Sequence, residues 1–294
     1  MNRKVCLNAF LLGGATMRKR MIRKLLSFVL CTVFLSMSMY SVSFASSTNE
    51  IESNDVVENA TIINAHRQTM AEYCRGNTSN SHRINGSLGS ADVDWYAVYL
   101  NAGEQRLSCI EGRNIEYEIY DSSLSLLRRV NYDNSKKKGY LFWAQYNGTY
   151  YVKVQAPSVT YVSYSFTIGN PIYDLGKVQI ACPNGSITMN ARQSTATVVY
   201  RGEPSIPEGA IATCITMGGV RSKHGMETIN VVNLSTNKRV VLSKYLFEKD
   251  NIVSLEIPCE SDWNVTFQRD SLYTSSSVTF SPSIDIRYIY PIGE

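Results

Sequence analysis

Histidine is scarce in this chain, and the short motifs that identify common enzyme sites are missing. Only His66, His82 and His224 occur in 294 residues. None belongs to an HExxH helix, and the sequence has neither a GxxxxGK[ST] phosphate loop nor a GxSxG nucleophile turn. These absences exclude the commonest zinc-protease, nucleotide-hydrolase and α/β-hydrolase sites. The sequence therefore favours binding or scaffolding over catalysis.

Cysteine is sparse as well, and its spacing excludes a dense disulfide framework. Five of the seven cysteines follow residue 45, an odd number with no CxxC pair, which excludes a metal or redox motif of that type. One disulfide stays open, either between Cys74 and Cys109 or within the last three cysteines, which are Cys182, Cys214 and Cys259.

The first 45 residues have the pattern of an export signal. A basic cluster from Arg18 to Lys24 precedes an apolar run from Leu25 to Leu35, and small residues end at Ala45. The apolar run is shorter than the roughly 20 residues that cross a bilayer. We therefore predict a signal peptide over residues 1–45, no transmembrane segment after cleavage, and a secreted or cell-surface location.

Removing the leader reverses the sign of the net charge. All seven charged residues of the leader are basic, which leaves 22 Lys and Arg against 25 Asp and Glu, a net charge of −3. A protein that binds nucleic acid usually presents a strong positive surface. We therefore expect no nucleic-acid partner.

Strand patterns fill the rest of the chain. From Asp94 to Leu100 the side chains alternate between Tyr96, Val98 and Leu100 on one face and Trp95, Ala97 and Tyr99 on the other. We expect the first of these faces to lie in the core of the first domain, together with Ile119, Val152, Val154, Tyr164 and Phe166. Further strands are predicted over 107–110, 115–120, 140–144, 149–154 and 162–168, and then over 178–181, 196–200, 210–217, 228–232, 252–257, 265–267 and 284–290.

Turn residues between these short strands, and the lack of helical periodicity, predict an all-β protein of antiparallel β-sandwiches. Gly169 to Pro171 is the expected boundary between a domain over residues 46–170 and a second, Ig-like β-sandwich over residues 171–294. We recognise no family in the second domain.

The first domain resembles the bacterial pre-peptidase C-terminal domain. The resemblance covers residues 51–169 and implies a jelly-roll-like β-sandwich that accompanies exported enzymes and has no catalytic residues of its own. Six segments in the same order carry it: Glu52 to Asp55, Gly86 before Asp94 to Tyr96, Asn101 to Gly103, Ile119 to Asp121, Gly148 to Val154 and Tyr164 to Ile168.

The same resemblance suggests a calcium site. Glu50, Glu52, Asn54 and Asp55 resemble the acidic linker that binds calcium in the collagen-binding domains of bacterial collagenases, where acids beside the following strand complete the site. The corresponding acids here are Asp92 and Asp94, which are one residue closer together than in those domains. Asp92, Ser90 or a backbone carbonyl is therefore left open as a ligand, and a solvated acidic segment without calcium is the alternative.

The leading hypothesis is a non-catalytic accessory protein that contacts an extracellular polymer, a cell-wall component or a partner protein. Trp95, Tyr99 and Tyr151 are its candidate surface aromatics for carbohydrate or protein binding, although strand propensity also explains such residues. The alternative is a secreted hydrolase with an unrecognised site in residues 171–294, whose available groups are Cys214, Ser222, His224 and Asp262.

Overall fold

The computed structural model describes residues 46–133, 136–157, 161–243 and 246–294. The predicted signal peptide, residues 1–45, lies outside them. Within these ranges no helix is both long and apolar enough to cross a membrane.

Two five-stranded sheets, A and B, enclose one hydrophobic core and form the first sandwich. In sheet A the strands lie in the order β1 (Ser46–Asn49), β3 (His82–Leu88), β10 (Val162–Gly169), β5 (Gly103–Glu111) and β8 (Lys138–Ala144). In sheet B the order is β2 (Thr61–Ile63), β4 (Val93–Leu100), β9 (Gly148–Gln155), β6 (Ile115–Tyr120) and β7 (Leu126–Tyr132).

The second sandwich is built from two four-stranded sheets and a short two-stranded one around a separate core. Sheet C has the order β11 (Tyr173–Ala181), β20 (Ser283–Pro291), β14 (Ile211–Gly218) and β17 (Glu248–Asp250). Sheet D has the order β13 (Thr195–Tyr200), β18 (Trp263–Arg269), β15 (Met226–Asn233) and β16 (Arg239–Ser243), and β12 (Ile187–Met189) pairs with β19 (Val278–Phe280).

The predicted all-β sandwich architecture is confirmed, and so is the inward face of the first sandwich. Alternation along β4 buries Tyr96, Val98 and Leu100, and the partner strand β9 buries Val152 and Val154. The two hydrophobic cores lie on either side of the expected boundary at Gly169 to Pro171. Independent folding of residues 46–170 and 171–294 stays a prediction.

Other details differ from the predictions. The segment 252–257 is not a strand, because Asn251 and Glu256 have positive φ angles of 58° and 47° and a 3-10 turn, Val253–Leu255, lies between them. Two short strands pair in parallel rather than antiparallel, β1 with β3 and β2 with β4. All five cysteines after residue 45 are free, so neither disulfide left open by the sequence forms.

One short helix, α1 (Met70–Cys74), was not predicted from the sequence. A capping box starts it: the Thr69 hydroxyl accepts from the Glu72 backbone N–H, and the Glu72 carboxylate accepts from the Thr69 backbone N–H. The sequence Thr-Met-Ala-Glu carries this signal, but the helix is too short to show apolar periodicity.

Candidate functional site

Glu50 is held at the end of the first sandwich by the backbone of β3. Its own N–H donates to the Asn85 carbonyl at 3.0 Å, and its carboxylate accepts from the Ser87 N–H at 2.9 Å and from the Ser87 hydroxyl at 2.9 Å. The pairing of β1 with β3 just before Glu50 sets this position. The acidic segment is therefore attached to the sandwich rather than free in solvent.

Three carboxylates meet at this end of the sandwich. One oxygen each from Glu50, Glu52 and Asp94 lies within 4.8 Å of the others, although Asp94 is more than 40 residues away along the chain. Asp94 belongs to the inward face of β4 and is fully buried, whereas Glu52 is exposed. No Lys or Arg among the described residues forms an ion pair with any of the three, so no cationic side chain offsets the charge of those that are ionised.

Two buried oxygens, on Asn54 and Asp94, accept no hydrogen bond. Asn54 is fully buried, and its backbone carbonyl accepts from the Trp95 N–H at 2.9 Å while its side-chain amide donates to the Trp95 carbonyl at 3.3 Å. Asn54 Oδ1 has no partner in the structure, and Asp94 Oδ1 accepts no hydrogen bond, although a protonated Asp94 can donate to Glu50. A buried oxygen without a donor is costly, and a cation is one way to satisfy it.

Two buried tyrosines support Asp94 from the core. The Tyr164 hydroxyl donates to Asp94 Oδ2 at 2.5 Å and also lies 2.5 Å from the Tyr96 hydroxyl. Gly86 leaves the room for this arrangement, because a Cβ there would lie 2.3 Å from the Tyr164 ring and 2.5 Å from the Glu50 carboxylate. The alternation of β4 and β10 predicted both tyrosines as core, but not their hydrogen bonds to an acid.

Crowding and burial shift the acidity of this site. Burial raises the pKa of Asp94 to about 8, against the hydrogen bond from Tyr164, and the charges of Glu50 and Asp92 raise it further. The pKa of Glu52 is also raised, first by loss of solvent and then by Asp92, Glu50 and Asp55. A bound divalent cation would favour the ionised form of every one of these groups.

The other predicted ligands lie at the margin of the cluster. Asp92 caps its own turn, with Oδ2 accepting from the Gly89 N–H at 2.9 Å and Oδ1 from the Val93 N–H at 3.0 Å. Asp55 and Ser90 are exposed. The structure therefore brings together Glu50, Glu52 and Asp94, binds Asn54 to the backbone of Trp95, which follows Asp94 in β4, and leaves Asp55 and Asp92 outside the group of three.

Oxygen donors of this type and number suit calcium. The described residues offer three carboxylates and one amide oxygen, and calcium takes roughly six to eight oxygens, including backbone carbonyls and water. Two buried oxygens that accept no hydrogen bond, and a group of carboxyls without a neighbouring Lys or Arg, both fit a cation at this position.

The predicted surface aromatics lie on the outer face of sheet B. Tyr99 exposes 55% of its surface, and Trp95 and Tyr151 are half-buried. The Trp95 ring contacts the Tyr120 ring, with 5.4 Å between their centroids. Tyr120 was not predicted as a surface aromatic, although the alternation of β6 places it outward.

A charged network lies next to these rings. Glu118 is 2% exposed although it is on the outer face, because Tyr120, Arg129 and Lys153 cover it. Its carboxylate accepts from the Tyr120 hydroxyl at 2.8 Å, from Arg129 Nε at 2.7 Å and from Lys153 Nζ at 3.2 Å. The pKa of Glu118 is lowered, because these donors outweigh the effect of burial. The face is thus an ordered surface of rings and paired charges.

The four residues that the hydrolase hypothesis would use, all within the described ranges, form no hydrogen bonds with one another. Cys214 is buried, contacts Arg287 at 3.0 Å, and has a pKa raised to about 11 by burial. His224 stacks on Phe280 at 5.3 Å, and its Nδ1 accepts from the Arg221 N–H at 3.0 Å.

Asp262 pairs with Arg201 at 2.6 Å, and Ser222 is exposed in the 3-10 turn Ser222–His224. The structure contains no hydrogen bond between any two of these four described residues.

No family model and no curated protein matches the sequence. Solved structures that it resembles include a protein from Eubacterium rectale that is thought to be secreted, at 12% identity and a TM-score of 0.47, covering 87% of this chain and 90% of that one. The pre-peptidase C-terminal domain of Bacillus anthracis collagenase is 17% identical at a TM-score of 0.29, covering 37% of this chain and 93% of that domain.

A third similar structure comes from an archaeal virus with a triple jelly-roll fold, at 12% identity and a TM-score of 0.25, covering 72% of this chain and 60% of that one. At these identities and TM-scores the three proteins do not identify a family or an activity for this chain.

Proposed function

We propose that the chain is an exported, non-catalytic accessory protein whose first sandwich binds calcium and contacts an extracellular polymer or partner protein through the outer face of sheet B. The observation that chiefly carries the proposal is the cluster of Glu50, Glu52 and Asp94 within 4.8 Å, together with two buried oxygens that accept no hydrogen bond. Export rests on the leader sequence, and the absence of the common enzyme motifs supports a non-catalytic role.

Calcium has a structural role in this proposal. Glu50, Glu52 and Asn54 lie on the segment between β1 and β2, and Asp94 lies on β4. A cation shared between them would hold the segment against the sandwich and satisfy the buried oxygens. We expect the calcium-free protein to be less stable and more mobile between Glu50 and Asp55.

The contact surface is assigned to the outer face of sheet B because of its chemistry. Trp95, Tyr99, Tyr120 and Tyr151 present ring surfaces with polar tips, which suit both sugars and protein partners. The buried Glu118 fixes neighbouring cationic side chains, so the face is ordered before binding. Ordered surfaces lose less entropy when they bind.

A pull-down with isolated cell walls, collagen and neutral polysaccharides tests this proposal. The protein from Ser46 to Glu294 would be mixed with each polymer at low and at high ionic strength, with and without calcium, to separate charge from ring contacts. Trp95→Ala is expected to reduce retention at least about tenfold. Trp143→Ala is the matched control, because Trp143 is 65% exposed on sheet A, away from this face.

Equal retention of parent, Trp95→Ala and Trp143→Ala on a polymer that binds the parent would refute the assigned face. If the parent binds none of the three polymers, polymer binding is refuted and a protein partner is indicated. Hydrolysis of any of them by the parent, lost in a single substitution, would refute the non-catalytic role.

A further inference from the structure

Strand β8 is the last strand of sheet A, and it pairs only with β5. An unpaired strand edge presents free backbone N–H and C=O groups that other chains can bind, and proteins usually cover such edges. The edge of β8 is therefore a place where a cover is expected.

The last three residues of the chain lie on this edge. The Gly139 N–H donates to the Gly293 carbonyl at 3.0 Å, and Arg106 Nη1 donates to the Ile292 carbonyl at 3.1 Å. The Glu294 carboxylate pairs with Arg128 at 2.5 Å. Because Arg128 belongs to β7, the outermost strand of sheet B, the segment contacts the edge strands of both sheets of the first sandwich.

The same three residues continue directly from the second sandwich. They follow β20, whose last residue, Pro291, pairs with Tyr173 of β11. The Ile292 N–H donates to the Ile172 carbonyl at 2.9 Å, just beyond the expected domain boundary. Ile292 is thus bound on one side to the start of the second sandwich and on the other side to Arg106 of the first.

The absence of a side chain at Gly139 lets the backbone of Ile292 approach β8 closely. A Cβ at Gly139 would lie 2.3 Å from the Ile292 carbonyl oxygen, which belongs to the backbone and accepts from Arg106. Gly139 is not among the glycines with positive φ, so its backbone conformation is open to any residue. The requirement for glycine here comes from close approach alone.

We propose that Ile292, Gly293 and Glu294 form a strap that covers the Gly139 end of β8 and fastens the second sandwich to the first. The strap binds to a surface that consists of the Gly139 N–H, Arg106 and Arg128. The strap itself offers two backbone carbonyls and the acidic side chain of Glu294. The two cationic residues match the carbonyl and carboxylate groups of the strap.

Gly139→Ala tests the strap, because it displaces the Ile292 carbonyl without changing the residues of the strap. Gly148→Ala is the matched control: Gly148 lies in β9 of the same sandwich, and a Cβ there would meet nothing within 4 Å. A chain ending at Pro291 is the second variant. Far-UV circular dichroism would verify that all three keep their strands.

Two measurements follow, both on chains that begin at Ser46. Amide hydrogen exchange at position 139 is expected to be roughly tenfold faster in Gly139→Ala and in the shortened chain than in the parent or Gly148→Ala, because the amide of this residue donates to the strap. Small-angle X-ray scattering is expected to show a modestly larger maximum dimension for the same two variants, because the strap is one of several contacts between the sandwiches, beside those of α1 with the turn Val253–Leu255 and of the Tyr73 ring with the Tyr173 ring.

Exchange in Gly139→Ala and the shortened chain that equals the parent's would overturn the strap. Faster exchange with an unchanged scattering profile would overturn the fastening of the two sandwiches and hence the proposal as stated. A Gly139→Ala chain that does not fold leaves the decision to the shortened chain, where the same two outcomes apply.

Discussion

Replacing Asp94 with asparagine is expected to change how the stability of the calcium-free protein depends on pH. Burial raises the pKa of Asp94 in the folded protein to about 8, against an ordinary value of 3.8. Between these values the folded chain keeps a proton that the unfolded chain has lost. The contribution of Asp94 to stability is therefore fully favourable near pH 4 and decreases as pH rises towards 8.

The size of this effect follows from the linkage between proton binding and folding. One group that is protonated only in the folded state changes the free energy of unfolding by about 1.4 kcal/mol per pH unit. Between pH 5 and pH 8 the parent protein would lose at most roughly 4 kcal/mol through Asp94 alone. An asparagine at this position cannot titrate, and its side-chain oxygen can still accept the hydrogen bond of Tyr164.

Urea unfolding in the presence of a chelator, at several pH values from 5 to 8, measures this difference. Asp94→Asn is expected to be close to the parent at pH 5 and more stable than the parent by roughly 2–4 kcal/mol at pH 8. Burial lowers the pKa of His66 to about 4 and gives an opposite trend below pH 6.5, but that trend is common to both proteins and cancels in the difference. A difference that stays constant from pH 5 to pH 8 would refute the reasoning.

Three further predictions concern the core, the support of Asp94 and the cysteines. Val152→Ala is expected to lower the free energy of unfolding by roughly 1–3 kcal/mol in urea, because Val152 is fully buried, and an unchanged value would contradict the core assignment. Tyr164→Phe removes the hydrogen bond to Asp94 and is expected to weaken calcium affinity about three- to tenfold by calorimetry, whereas parental affinity would show that the hydroxyl is irrelevant. In native protein from Ser46 onward a thiol reagent is expected to label only the exposed Cys74, and labelling of Cys214 at the same rate would favour the hydrolase alternative.

The sequence predicts most of the first sandwich because its strands alternate clearly. Tyr96, Val98 and Leu100 could be assigned to the core from β4 alone, since a period of two needs no knowledge of the partner strand. Strand β7 was missed because Leu126 and Leu127 are adjacent apolar residues followed by Arg128 and Arg129, which breaks the alternation. In the second sandwich the apolar segment 252–257 suggested a strand. The positive φ angles of Asn251 and Glu256, on either side of the 3-10 turn Val253–Leu255, prevent an extended backbone there.

The candidate site was predictable in its residue types but not in its assembly. The acidic segment around Glu52 was visible, yet only the pairing of β1 with β3 brings it beside Asp94. Such pairing depends on contacts far apart in sequence, which local patterns do not encode. The hydrogen bond from Tyr164 to Asp94 and the burial of Glu118 also depend on the register between strands. No local sequence pattern reveals that register.

Calorimetric titration of the protein from Ser46 to Glu294 with calcium chloride, after removal of divalent ions, tests the calcium site most directly. We predict saturable heat at calcium concentrations up to about the millimolar range and a higher melting temperature with calcium. Both effects are expected to be lost in Glu52→Ala and Asp94→Ala and to be much weaker with magnesium. Neither heat nor a shift of the melting temperature in the parent protein at millimolar calcium would contradict the proposed site.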